Sequence, residues 1–216
     1  VLKNTELKAY VGIVVGAALL IAVNVRGYFS NFGEALFQSA FHVVSIITTT
    51  GLSSCDFNLW PSFSKTILFL LMIVGASAGS TGGGFKVSRL VVLMKSAKNE
   101  IQKVIHPRSI KKMHMDGRVF PEDLIRSILV YTGIYVLLSF VSILIVSLDN
   151  FSFETNVSAI MATLNNIGPG LDMVGPTGNF SAFSDVSKVV MIFDMLAGRL
   201  ELIPILVLFS PQTWKK

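Results

Sequence analysis

Apolar residues fall along this chain in long runs separated by short polar stretches. A helix needs about 20 such residues to cross the roughly 30 Å hydrocarbon layer of a membrane. Four runs are long enough: residues 7–25, 67–94, 124–148 and 186–209. Two further apolar runs are too short to cross: residues 35–47 and 157–164. The pattern predicts an all-α membrane protein in which two short helices enter the membrane from one side and stop inside it.

The second long run is interrupted by the sequence GASAGSTGGGFK, residues 75–86. Because glycine and serine weaken a helix, we expect two half-helices joined by a loop at this point. Each half of the chain then has the order span, short re-entrant helix, glycine-containing loop, span. Placing Gly51 on Gly168 aligns the two halves as an internal repeat. The predicted units are residues 1–95, a basic linker over 96–120, and residues 121–216.

Composition and charge favour the same class of protein. The chain is 52% hydrophobic and 14% charged, whereas a soluble domain has about 25% charged residues. The net charge is +5, and nine of the basic residues lie between positions 86 and 118. A basic segment between apolar runs predicts a cytoplasmic loop, so both termini are expected in the cytoplasm and no nucleic-acid partner is expected. The lone Cys55 excludes an internal disulfide.

The loops that follow the two short helices are candidates for cation binding. A helix that stops within the membrane directs the partial negative charge of its C-terminus at whatever follows. The following segments are TTTGL, residues 48–52, and NNIGP, residues 165–169. Glycine allows the backbone to turn so that carbonyl oxygens replace an ion's hydration shell. Each loop taken alone is also compatible with an ordinary turn after a helix; the repeated pair favours an ion site.

Other kinds of site have weaker support. The glycines of residues 75–86 do not have phosphate-loop spacing and follow no strand, which argues against a nucleotide site. His42 lies on an apolar helix and is expected to be a packed core residue. A membrane-embedded enzyme would need a cluster of ionisable groups within the spans, where the sequence offers Asp194 and Glu201. No nucleophile with a base and an orienting group is visible, so we expect no enzyme activity.

Several motifs together carry a family resemblance. The loops TTTGL and NNIGPG, the interruption AGSTGGGFK and the stretch MLAGRLEL resemble those of the Trk/Ktr/HKT superfamily of potassium transporters, in particular its TrkH/KtrB-type membrane subunits. The resemblance implies four span, pore-helix, span repeats around one ion path. This chain contains two, so we expect it to be the C-terminal half of a longer polypeptide, with potassium uptake as its function. The alternatives are a transporter for sodium or other monovalent cations, and a structural or assembly subunit.

The resemblance also implies roles for individual residues. The expected selectivity-filter residues are Thr49, Thr50, Gly51, Asn166, Ile167 and Gly168. The expected gating residues beneath the filter are Gly79, Ser80, Thr81, Gly82, Gly83, Gly84 and Arg199. Arg199 is basic within an apolar span, where an unpaired charge is costly. A structural ion pair of Arg199 with Asp194 or Glu201 is the alternative to a role in the pore.

The expected surroundings of the chain follow from the same resemblance and from its topology. We expect a multi-pass protein of the plasma membrane, a bacterial inner membrane, in contact with lipid. The resemblance implies a cytoplasmic nucleotide-binding regulatory subunit of the RCK type, for which the basic linker is a possible contact surface. A homodimer is also expected. No cofactor and no metal other than the transported potassium ion is expected.

Overall fold

A computed structural model describes residues 4–80, 82–106, 114–115 and 118–200 of the chain. These residues form seven α-helices, listed in chain order: α1 (Thr5–Asn24), α2 (Phe32–Ile47), α3 (Ser62–Ile73), α4 (Val87–Ile105), α5 (Glu122–Val146), α6 (Phe153–Leu164) and α7 (Asp185–Leu200). Two short antiparallel strands, β1 (His114–Met115) and β2 (Arg118–Val119), lie between α4 and α5. Single 3-10 turns occupy Arg26–Tyr28, Phe57–Leu59, Ser147–Asp149 and Asp172–Val174. The predicted all-helical fold is confirmed.

Polar side chains cap the starts of both short helices. Asn31 starts α2 by accepting a hydrogen bond from the backbone N–H of Glu34 at 2.8 Å, and Ser152 starts α6 by accepting from Thr155 N–H at 3.1 Å. Such caps satisfy N–H groups that the helix itself leaves without partners. Both short helices therefore begin a few residues before the apolar runs from which they were predicted.

The second predicted span is divided where the sequence indicated. Helix α3 ends at Ile73 and α4 begins at Val87, with a non-helical segment between them. Helix α4 continues to Ile105, so the first part of the stretch predicted to be a linker is helical. The part of the fourth predicted span beyond residue 200 lies outside the described residues.

Two helical stretches in the described part of the chain are long and apolar enough to cross a membrane, namely Thr5–Asn24 and Glu122–Asp149. Both present large apolar side chains outward: Val23 of α1 is 66% exposed and Leu144 of α5 is 70% exposed. Exposed apolar surface of this extent is characteristic of lipid-facing helices. These two helices agree with the predicted membrane protein.

The buried core joins the two halves. One cluster packs α1, α2 and α3 together and includes Ile167 and Leu171 from the second half. A second cluster brings Phe85, next to the α3–α4 loop, against Tyr131 and Tyr135 of α5. The segment that follows α6 is thereby packed against α1, α2 and α3.

Candidate functional site

The two loops that follow the short helices have the same backbone course. The non-glycine residues Thr49 and Asn166 have φ angles of 57° and 55°, and the glycines two positions later, Gly51 and Gly168, have φ angles of 73° and 115°. Positive φ is uncommon for residues with a side chain and is readily adopted by glycine. The chain therefore reverses direction in the same way after α2 and after α6.

Backbone hydrogen bonds fix both reversals to the ends of the short helices. The N–H of Thr50 donates to the carbonyl of Ser45 at 2.9 Å, and the N–H of Ile167 donates to the carbonyl of Ala162 at 2.9 Å. In the first loop the Ser45 hydroxyl also donates to the carbonyl of Leu52 at 2.6 Å. These bonds hold the loops directly beyond the helix C-termini, where the partial negative charge of each helix is greatest.

The two loops lie against each other through the predicted filter glycines. A Cβ atom placed on Gly51 would lie 1.9 Å from the carbonyl oxygen of Ile167, and one placed on Gly168 would lie 4.0 Å from the Cα of Gly51. Position 51 thus requires glycine for two reasons: its positive φ angle, and the Ile167 carbonyl oxygen that occupies the space where a Cβ atom would lie. The structure therefore brings together Gly51, Ile167 and Gly168, which the sequence had placed in one site.

The other predicted filter residues connect these two loops, the predicted filter loops 48–52 and 165–169, to their surroundings. Thr49 lies close to the α3–α4 loop, since a Cβ on Gly82 would be 3.1 Å from the Thr49 hydroxyl oxygen. The Thr50 hydroxyl lies 2.8 Å from that of Thr48. The Asn166 amide donates to the carbonyl of Met195 on α7 at 2.9 Å. The second loop is thereby attached to the helix that carries Arg199.

Two residues outside the predicted site contribute to its structure. Asn165 is fully buried; its amide nitrogen donates to the carbonyl of Met161 at 2.8 Å and its oxygen accepts from the Tyr135 hydroxyl at 3.0 Å. Tyr135 lies on α5, far from Asn165 in sequence. The sequence does show an amide, Asn165, and a phenol, Tyr135, within apolar segments. Such groups need hydrogen-bond partners when they are buried, but the sequence does not show that they bond to each other.

The α3–α4 loop packs beneath the filter loops. A Cβ on Gly83 would lie 2.5 Å from the carbonyl oxygen of Asn165, and Gly84 has a φ of 85°. Gly79 has open space around it, and together with Ser80 it borders a cavity of about 480 Å³ near the end of α2. The structure thus places Gly82, Gly83 and Gly84 against the filter loops and leaves Gly79 and Ser80 at the cavity. Thr81 lies outside the described residues.

Arg199 is exposed in the last described turn of α7. The preceding Gly198 crosses the end of α6 so closely that a Cβ on it would lie 1.7 Å from the carbonyl oxygen of Leu164. Asp194 is fully buried and accepts a hydrogen bond from the Ser142 hydroxyl on α5 at 2.9 Å. Among the described residues Asp194 and Arg199 form no salt bridge. Glu201 lies outside the described part.

The loops on the opposite side from the α3–α4 loop join the two halves of the chain. The Asn58 amide donates to the carbonyl of Asp172 and accepts from its N–H, both at 2.9 Å. Hydrogen bonds from the hydroxyls of Ser152 and Thr155 to the carboxylate lower the pKa of Asp172 below its usual value. Lys65 on α3 forms a salt bridge at 3.1 Å with Glu154 on α6. The relative position of the two filter loops is therefore fixed from this side as well.

His42 is a core residue. It is fully buried, lies 2.7 Å from the carbonyl of Gln38 through its Nδ1, and packs between the rings of Phe41, Phe57 and Trp60. The prediction of a packed core histidine is confirmed.

Comparison with known proteins gives one consistent family. The family model described as TrkH, cation transport protein, matches residues 21–216. The Trk system potassium uptake protein TrkH of Salmonella typhimurium is 33% identical over 218 residues, which is 99% of this chain and 44% of that protein. The Trk system potassium uptake protein TrkI of Halomonas elongata is 33% identical, over 84% of this chain and 37% of that protein.

A solved structure shows the same fold. The potassium transporter TrkH from Vibrio parahaemolyticus matches with a TM-score of 0.90 and 32% sequence identity, over 99% of this chain and 46% of that chain. This chain therefore spans about half the length of the relatives it matches.

Proposed function

Because this chain belongs to the TrkH family of cation transport proteins, we propose that it forms half of the ion path of a potassium uptake system. The observation that carries the proposal is the contact between two loops of the same backbone course, each held at the C-terminus of a half-length helix. Relatives that match the chain over nearly its whole length are named potassium uptake proteins. In this proposal the rest of the path is formed by segments equivalent to those parts of the relatives that this chain does not span.

Selectivity comes from backbone carbonyls in this proposal. Thr49, Thr50 and Gly51 in one loop, and the segment 166–168 in the other, supply carbonyl oxygens that replace the water around a dehydrated potassium ion. The C-termini of α2 and α6 contribute partial negative charge, which favours cations and rejects anions. Passage of the ion makes and breaks no covalent bond, so the protein acts as a transporter and not as an enzyme.

The α3–α4 loop is the proposed gate. Its segment 82–84 lies against both filter loops, so its position controls whether an ion that leaves the filter can continue. The neighbouring Gly79 and Ser80 border a cavity into which the loop can move. Arg199, near the other side of the second filter loop, adds a fixed positive charge that opposes cation passage when the loop is closed.

The proposed location is the plasma membrane, specifically a bacterial inner membrane. The chain termini and the C-terminal end of α4 then lie in the cytoplasm. Helix α4 carries Lys95, Lys98 and Lys103, and the positive-inside rule assigns such basic residues to the cytoplasmic side. The same surface can receive a nucleotide-binding regulatory subunit and anionic lipid headgroups. A homodimer completes the proposed assembly.

The test is the ion selectivity of Gly51→Ser and Gly168→Ser in the complete gene product. A serine at either position has to adopt a φ that glycine favours, which moves the filter carbonyls. We expect a higher ratio of sodium to potassium uptake in cells that lack other potassium uptake systems. An unchanged ratio in both variants would show that these loops are not the filter, whereas sodium-dominated uptake in the unaltered protein would favour the sodium-permeable alternative.

A further inference from the structure

The α3–α4 loop is closed at its neck by backbone hydrogen bonds. Gly75 N–H donates to the carbonyl of Phe85 at 2.9 Å, Phe85 N–H to Ile73 at 3.2 Å, and Val87 N–H to Ala76 at 3.2 Å. A short parallel bridge between Val74 and Phe85 accompanies them. The two ends of the loop are thus tied together, and residues 77–80 beyond them form its tip.

The tip of the loop is held by charged side chains at a single residue, Ala78. Its N–H donates to the Glu6 carboxylate on α1 at 2.6 Å, and its carbonyl accepts from the Lys86 ammonium at 3.4 Å. A hydrogen bond to an ionised acceptor is about twice as strong as one between neutral groups. Glu6 therefore connects α1 to the tip of the loop.

Glu6 is not needed to cap its own helix. The side-chain oxygen of Asn4 already accepts from the N–H groups of Glu6 and Leu7, at 2.8 and 3.1 Å. The Glu6 carboxylate is directed instead at a backbone group that is distant in sequence. Its contact with Ala78 is consequently a connection between α1 and the loop.

The tip has space to move if this connection is broken. The cavity of about 480 Å³ lies between α1, the end of α2 and the tip, and its walls include Glu6, Tyr10, Thr48, Ser77, Gly79 and Ser80. Ala78 and Gly79 are exposed. Steric packing at the tip is therefore slight, in contrast to the tightly packed segment 82–84.

We propose that Glu6 is a positioning residue that latches the α3–α4 loop in its closed position through the Ala78 N–H. This inference rests on the proposed function, in which the loop is the barrier beneath the filter. Loss of the latch frees the tip to enter the cavity and raises the fraction of time for which the path is open. Glu6 acts through the loop and does not itself coordinate the ion.

The test uses Glu6→Ala and Glu6→Gln in the complete gene product, reconstituted in liposomes. A Ser77→Cys reporter in a Cys55→Ser background measures how fast a thiol reagent reaches the loop. Loss of a charged hydrogen bond corresponds to roughly a tenfold change in the ratio of open to closed loop. We expect Glu6→Ala to raise both potassium flux and labelling rate about tenfold, and Glu6→Gln, which keeps an acceptor, about threefold.

The matched control is Glu34→Ala. Glu34 is also an acidic residue in the first turn of a helix, and it accepts a hydrogen bond from the backbone N–H of Ser30 at 3.2 Å, remote from the loop. We expect Glu34→Ala to leave both readouts at the wild-type level. The control separates an effect on the loop from a general effect of removing a negative charge at a helix start.

Two results would overturn the latch. One is wild-type flux and labelling in Glu6→Ala; the other is lower flux with unchanged labelling, which would show that Glu6 attracts cations and leaves the loop unaffected. If Glu6→Ala does not fold, the Glu6→Gln variant provides the test. A wild-type labelling rate in that variant would equally overturn the latch. Failure of the proposed function is distinct, because it appears as unchanged selectivity in the Gly51→Ser and Gly168→Ser variants.

Discussion

Gly51 and Gly168 occupy equivalent positions in the two loops of the proposed filter, but their surroundings differ. A Cβ on Gly51 would overlap the Ile167 carbonyl oxygen at 1.9 Å, whereas a Cβ on Gly168 has its nearest contact at 4.0 Å. Both residues have positive φ angles, 73° and 115°. We therefore predict that alanine is much more damaging at position 51 than at position 168.

The size of the difference follows from these distances. A carbon atom approaches a carbonyl oxygen to about 3.3 Å, so Gly51→Ala has to separate the two loops by about 1.4 Å. Strained backbone costs about 1–3 kcal/mol, and forced overpacking costs a further 1–3 kcal/mol or so. Gly168→Ala involves the first cost alone, so we expect losses of roughly 1–3 kcal/mol for Gly168→Ala and 2–6 kcal/mol for Gly51→Ala.

The assay combines thermal stability in detergent with potassium and sodium uptake by cells that lack other potassium uptake systems. Gly51→Ala should lower the melting temperature more and should reduce potassium selectivity more strongly than Gly168→Ala. Gly133→Ala is the control, because Gly133 lies within α5 with nothing near its Cβ position, and alanine there should be neutral or slightly stabilising. Equal effects of the two filter variants would refute the contact between the loops.

Two further predictions concern Arg199 and Asp172. Arg199→Ala should raise cation flux, since a fixed positive charge beside the ion path repels a passing cation. Arg199→Lys should stay near wild type, and a stable alanine variant with unchanged flux would contradict the barrier role. The pKa of Asp172 is lowered, mainly by the hydrogen bond from the Ser152 hydroxyl. The carboxylate therefore stabilises the fold at pH values above its usual pKa of 3.8, and this stabilisation is lost as the pH falls through the lower pKa of the folded state. The melting temperature of Asp172→Asn should therefore be below wild type at pH 7 and approach it in acid, and a constant difference would contradict the hydrogen-bonded carboxylate.

The hydropathy pattern predicts most of the helices because each is either apolar enough to enter lipid or bounded by a break. The interruption between α3 and α4 is visible as a run of glycines, and the two filter reversals are visible as glycines after half-length helices. These features depend on a few consecutive residues. They can therefore be read without knowing which segments meet in three dimensions.

The anchors of the site depend on contacts between distant segments. The Tyr135 hydroxyl reaches Asn165, the Ser142 hydroxyl reaches Asp194, and Glu6 reaches Ala78. Each contact requires a particular rotation of one helix against another, and nearly uniformly apolar helices such as α1 and α5 give no such rotation in their sequence. Among the described residues Asp194 forms no ion pair with Arg199; it accepts a hydrogen bond from Ser142 on α5 instead.

The two filter loops share a backbone course but are held in different ways, and this difference gives the second loop a wider influence. Ser45 ties the first loop to its own helix, whereas the equivalent Ala162 has no hydroxyl. The second loop is attached to α7 through Asn166, and its Asn165 is attached to α5. Because the Asn166 amide is hydrogen-bonded to α7, a shift of α7 acts directly on the second loop. We therefore expect a shift of α7 to displace the loop after α6 more than the loop after α2, through the Asn166–Met195 hydrogen bond.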